Sequence, residues 1–265
     1  MRFAITPIVQ RLLIINVVVF ALTYLFRNTI NLNQWLVLHS YYSDSFIPFQ
    51  FVTYMFMHGD FMHIFSNMFG LYMFGPMLEH FLGVKKFLTL YFVCGIGAAV
   101  LFWGINVYEV HHVREAAIEY ISNPSPEAFA DFLNRNDPSM YKEKLYLIDN
   151  FAENPDNENI IGETKDVAVK IVSDQASFGL LGASGAIFGI LMAFALLFPN
   201  TEMMLLFPPI PIKAKYLVGA YALYEIYAQF QNRPGDNVAH FAHITGMIFA
   251  FILIRYWKTN RNSFY

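Results

Sequence analysis

Six stretches of the chain are apolar enough to read as membrane helices: Leu12–Phe26, Phe61–Glu79, Phe87–Tyr108, Phe178–Pro199, Ala214–Phe230 and Asn237–Trp257. A helix crossing a bilayer takes about 20 mostly apolar residues, and these runs approach or reach that length. The first extends back past Arg11, and the second is the most polar of the set. Between the third and fourth lies Glu109–Gln175, which carries roughly half of the chain's charges, with acids outnumbering bases by about two to one. It reads as a soluble insert. Glu127–Asn134 and Lys142–Asn154 have helical patterning there, punctuated by Pro124, Pro126, Pro138 and Pro155. Ahead of the second run, Thr29–Asp60 has few charges and many aromatics (Trp35, Tyr41, Tyr42, Phe46, Phe49 and Phe51). That composition suits a loop lying in a membrane interface.

The basic residues orient these runs. Arg2 and Arg11 precede the first, and Lys85 and Lys86 separate the second and third. Lys213 and Lys215 separate the fourth and fifth, and Arg255, Lys258 and Arg261 close the sixth. With six spans all of these fall on one side, so both termini are expected in the cytoplasm. The other side holds Arg27 to Asp60, the insert and the short Gln231–Asp236 turn. The organisation expected is therefore residues 1–108 for spans one to three, 109–175 for an extracytoplasmic insert and 176–265 for spans four to six.

Composition supports a membrane protein. Of 265 residues, 56% are hydrophobic and 14% charged, against about 45–50% and about 25% in soluble domains. A net charge of −3 says little about partners, and no basic stretch resembles a nucleic-acid footprint. Cys94 is the single cysteine, so no intramolecular disulfide can form. The first run has no small-residue cleavage site and reads as a retained span rather than a signal peptide.

Polar residues are costly within a membrane and are usually functional there. The fourth run holds Gly182-Ala183-Ser184-Gly185 and the sixth Ala242-His243-Ile244-Thr245-Gly246. Counted as helix from Phe178 and Asn237, Ser184 and His243 each lie about 9 Å inside. Counted from Phe61, Asn67 lies equally deep and His63 about 3 Å deep, on the same helical face. A serine beside a histidine is the core of a serine hydrolase, provided the two come within hydrogen-bond reach. Such approach between helices needs small residues at the crossing. Gly185 and Gly189 supply them on one run, Gly246 and Ala250 on the other. His240 shares a face with His243 and is expected nearer the surface, bonding a loop. His58 and His80 read as loop and boundary residues. Glu225, within the fifth run, is either a snorkelling or a functional charge.

This ordered set resembles the rhomboid family of intramembrane serine proteases. The resemblance rests on Gly182-Ala183-Ser184-Gly185, on Ala242-His243 with Gly246, and on His63-x-x-x-Asn67 followed by Phe74-Gly75, Glu79 and Gly83. It runs from Phe49 to Trp257. It implies an all-α membrane fold: a six-helix, rhomboid-like bundle with the soluble insert between spans three and four. Ser184 is then the nucleophile and His243 the general base, a dyad with no aspartate. The Ser184 N–H, His63 and Asn67 form the oxyanion hole. Gly182, Gly185 and Gly246 support the site, and Phe188 stacks on His243 where the family commonly has tyrosine. Span five, with Tyr224, Tyr227 and Phe230, is a candidate lateral gate. Substrates are transmembrane proteins met among lipids, no cofactor or metal is implied, and a bacterial inner membrane is the expected location. Two departures stand out: Phe49-Gln50-Phe51 replaces a customary Trp-Arg pair, and the insert is unusually long. The alternatives are a non-catalytic rhomboid-like membrane binding protein, or a transporter or b-type haem protein using His58, His63, His240 or His243.

Overall fold

The computed structural model describes residues 5–177, 179–204, 210–231 and 238–259. Phe178, Asn237, Arg2, Arg261 and residues 232–236 of the expected turn lie outside them. The chain divides into two compact units. The first takes in Met1–Leu38, Ile47–Phe102 and Leu180–Tyr265, and the second His39–Phe46 and Trp103–Gly179.

In the first unit the opening helix runs Pro7–Phe26, with proline at its start, where a missing N–H costs nothing. Buried Glu79 completes that start: it accepts from the Thr6 hydroxyl and from the Ile8 and Val9 amides at 3.2 and 3.0 Å. These are first-turn donors without intrahelical partners. The next long helix, Phe61–Ser122, breaks at Gly83 (φ 76°, ψ 162°), a backbone conformation that glycine alone adopts freely. The Asp60 carboxylate accepts from the His63 amide at 2.8 Å and caps its start. Three further helices follow the second unit in sequence: Ser184–Leu197, Ala214–Gln231 and His240–Thr259. A small antiparallel hairpin pairs Glu202–Met204 with Pro211–Lys213, so the fold is not purely helical.

Among the described residues two helices are long and apolar enough to cross a membrane, Pro7–Phe26 and Phe61–Ser122. This is fewer than the six runs read from sequence, and Phe61–Ser122 holds two of those runs, the second and third, on either side of Gly83. The fourth run shortens because its first residues are not helical, and helix starts only at Ser184. The fifth is diluted by Lys215, Glu225, Gln229, Gln231 and its tyrosines, and the sixth by His240, His243 and Arg255.

The second unit follows the rules of a water-soluble bundle. The helix begun in the first unit continues past Tyr108 to Ser122. Then come Pro126–Asn136, Pro138–Glu143, Leu145–Glu153 and Glu158–Ala176. Pro126 and Pro138 start helices rather than merely separating them, each behind a capping side chain, Ser125 or Asp137. Asn157 caps the last. Phe129, Phe132, Leu133, Leu147, Phe151 and Ile171 fill the core, and the Tyr120 hydroxyl donates to Thr164 within it.

Candidate active site

Ser184 is the first residue of its helix, not a residue one and a half turns inside it. The depth expected by counting helical rise from Phe178 is therefore not how the site is built. Gly182 turns the chain at φ 115°, and its N–H donates to the Tyr54 carbonyl at 2.9 Å. Tyr54 is itself fixed by donating its hydroxyl to the Gly95 carbonyl at 2.7 Å. The turn leaves the half-buried Ser184 at a helix N-terminus, where the amides have no partner four residues back.

His63 and Asn67 meet this turn from one face of their helix. A β-carbon at Gly182 would lie 2.5 Å from His63 Nε2 and 3.8 Å from Asn67 Nδ2. Only glycine fits between the turn and these side chains. Asn67 is buried, and its Nδ2 has no hydrogen-bond partner among the described residues. A buried donor left unpaired costs about 1–3 kcal/mol, so its presence beside the turn marks a place where an acceptor is wanted.

The serine and histidine helices touch backbone to backbone. A β-carbon at Gly246 would lie 2.1 Å from the Gly185 carbonyl oxygen. At Gly185 it would lie 2.9 Å from Ala98 Cβ and 3.5 Å from the Ala242 carbonyl oxygen. At Gly189 it would meet Cys94 at 2.6 Å and the Gly246 carbonyl at 3.2 Å. The residues flanking Ser184 thus pack on those flanking His243. Phe188, one turn after Ser184, stacks on the His243 ring with centroids 4.1 Å apart and planes 13° apart.

The fifth apolar run brings in a residue whose partners were not foreseen. Glu225 is buried, and its Oε2 lies 2.9 Å from His243 Nδ1 and 2.6 Å from His240 Nδ1. It does not snorkel. His240 is buried as well, and its ring bonds Glu225. The one sequence signal is a single carboxylate in a run otherwise charged only at Lys215, beside its start. The ligand atoms of Glu225, His240 and His243 lie within 4.8 Å of one another, close enough to hold a metal ion. Tyr224, Tyr227 and Phe230 on the same helix are exposed. Tyr221 stands edge-on to Phe188 at 6.4 Å, and Tyr224 edge-on to His240 at 6.3 Å. His58 is buried, with its ring edge-on to His63 at 5.0 Å. Burial, and after it the neighbouring His63, lowers the His58 pKa to about 4.

Comparison with known proteins gives the family. The chain is 28% identical over 220 residues to an uncharacterized mitochondrial rhomboid protein of Schizosaccharomyces pombe. The match covers 81% of this chain and 52% of that protein, so the chain spans about half the length of the curated relative it matches. The rhomboid domain model matches residues 47–113 and 160–258 and passes over most of the second unit. Since those segments make up more than half of the chain and hold the serine turn, both facing side chains and the stacked histidine, the chain belongs to the rhomboid family of integral membrane proteins.

Proposed function

We propose that this protein is an intramembrane serine endopeptidase that cuts transmembrane segments of other membrane proteins. The observation that carries the reading is the Gly182–Ser184 turn seated on His63 and Asn67, with the His243 ring stacked one helical turn along. The Ser184 hydroxyl attacks a peptide carbonyl, and its proton passes to His243 Nε2 as the oxygen–carbon bond forms. The carbonyl oxygen becomes an oxyanion facing the Ser184 amide, His63 Nε2 and Asn67 Nδ2. One such donor is typically worth about 2.7–4 kcal/mol. His243 then returns the proton to the departing nitrogen as the carbon–nitrogen bond breaks, and water repeats the sequence to free the acid. A helical substrate hides its carbonyls in its own hydrogen bonds, so segments weakened by glycine or proline are the preferred substrates.

The membrane setting draws support from apolar side chains that face outward: Val17 and Leu25 on the first helix, Leu223 on the fifth run and Ile252 on the sixth. Patches of this kind mark contact with lipid or protein. In this reading all six apolar runs span the bilayer, and both termini lie on its more basic side, the cytoplasm if the bilayer is a bacterial inner membrane.

Labelling of the detergent-solubilised protein with a fluorophosphonate tests the reading. Wild type should label, and Ser184→Ala and His243→Ala should lose labelling by at least about 10³-fold. Equal labelling of all three would return the protein to the non-catalytic alternative.

A further inference from the structure

The proposed chemistry needs a serine, a histidine and oxyanion donors, and it leaves Glu225 and His240 without a task. Both are buried, and both belong to one hydrogen-bonded group with His243. We propose that Glu225 is the third member of the site, a positioning residue that turns a Ser184–His243 dyad into a serine–histidine–glutamate arrangement, with His240 holding Glu225 in place. The inference rests on the protease reading above.

The geometry assigns the protons. A carboxylate only accepts, so each histidine meeting Glu225 Oε2 donates its Nδ1–H. That fixes the His243 tautomer and leaves its Nε2 lone pair to receive the Ser184 proton. When His243 becomes an imidazolium, the carboxylate 2.9 Å away balances the charge without taking the proton. His240 does not compete for the serine. Its bond to the same oxygen, at 2.6 Å, keeps the carboxylate aimed. A lone carboxylate in so apolar a helix would be expensive, and two histidine donors on one oxygen make its burial tolerable. Phe188 presses on the His243 face while Glu225 takes its edge, so the ring is held in both the directions in which it could swing.

The test is the inactivation kinetics of the full chain with the same fluorophosphonate, read as the separate constants kinact and KI. Glu225→Gln keeps shape and an acceptor but removes the charge. It should lower kinact on the order of 10²- to 10⁴-fold, with KI and the thermal midpoint unchanged, and Glu225→Asp should recover part of the loss. His240→Gln should lower kinact by a smaller factor, because Glu225 keeps its bond to His243. Wild-type kinact in Glu225→Gln overturns the proposal, and so does an equal loss in Gln and Asp that follows loss of the fold. One measurement needs no variant: nitrogen NMR of histidine-labelled wild type should find His243 protonated at Nδ1, and an Nε2–H tautomer overturns the assignment. Failure of the parent reading looks different, since wild type would then label no faster than Ser184→Ala.

Discussion

The two units of this chain solve the problem of packing helices in opposite ways. In the second, large side chains do the work: Phe129, Phe132 and Phe151 are wholly or almost wholly buried, and helix starts are closed by Ser125, Asp137 and Asn157. Those are devices suited to water, where apolar burial is the main driving force and a cap satisfies amides cheaply. In the first unit the serine and histidine helices meet through Gly185, Gly189, Ala242 and Gly246. Where the surroundings are as apolar as the side chains, burial gains little and close contact must supply the attraction. The close contact has a second consequence: it packs the residues flanking Ser184 on those flanking His243. Under the proposed chemistry, stability and catalysis therefore share the same residues in the first unit, whereas the buried aromatics of the second take no part.

The sharpest way to break that contrast is Gly246→Val. Its β-carbon would fall 2.1 Å from the Gly185 carbonyl, with backbone and no yielding side chain in the way. The helices must separate, at a cost of about 4 kcal/mol or more. Fluorophosphonate labelling and the thermal midpoint should fall together. A variant that keeps both would show that the crossing does not carry the site.

Phe129→Ala is the matching cut in the second unit. Phe129 is fully buried among Phe132, Leu133 and Tyr120, and truncation there should cost about 3–5 kcal/mol. Proteolysis within residues 126–176 should accelerate while fluorophosphonate labelling holds near the wild-type rate. Labelling that falls in step would mean the second unit supports the chemistry and that the division of labour is wrong.

How much of this was legible beforehand follows the same divide. Ser184, His243, His63 and Asn67 stood out because a polar residue in an apolar run is conspicuous, and the glycines around them announced close approach. Periodicity could not tell that residues 179–183 are extended and turning rather than helical, since an apolar run looks alike in either state. The positive φ of Gly182 became visible only in three dimensions. Glu225 was visible as a lone carboxylate, but its partners lie 15 and 18 residues away, beyond any helical spacing that could pair them by counting. In the second unit Glu158–Ala176 went unread although Asn157 caps it. It carries charges throughout and looked like the solvated remainder of an acidic segment. Gly83 belongs to a sequence motif, while its role in breaking a long helix depends on a φ of 76° that no spacing reveals.

Acid offers the gentlest separation of the two units. His58 in the first unit has its pKa lowered from 6.5 to about 4, chiefly by burial and then by His63, partly offset by the neighbouring Phe56 backbone and by Asp60. A folded pKa below the unfolded one means that the unfolded chain takes up the proton first. The stabilisation is complete above about pH 6.5 and is lost as pH falls toward 4. Between pH 7 and pH 5.5 the loss should be about 1 kcal/mol, read as a falling thermal midpoint of the first unit, and His58→Gln should flatten that slope. Tyr120, at the core of the second unit, has its pKa raised by burial, against a smaller opposing effect of its bond to Thr164. Its contribution persists through that acid range and is lost only as pH rises above about 10, the unfolded tyrosine value. Glu109 in the second unit has its pKa raised by burial, which works in the opposite sense to His58, so mild acid should lower the first transition and not the second. A second transition that moves equally would show the two units melting as one and would remove the basis for treating them apart.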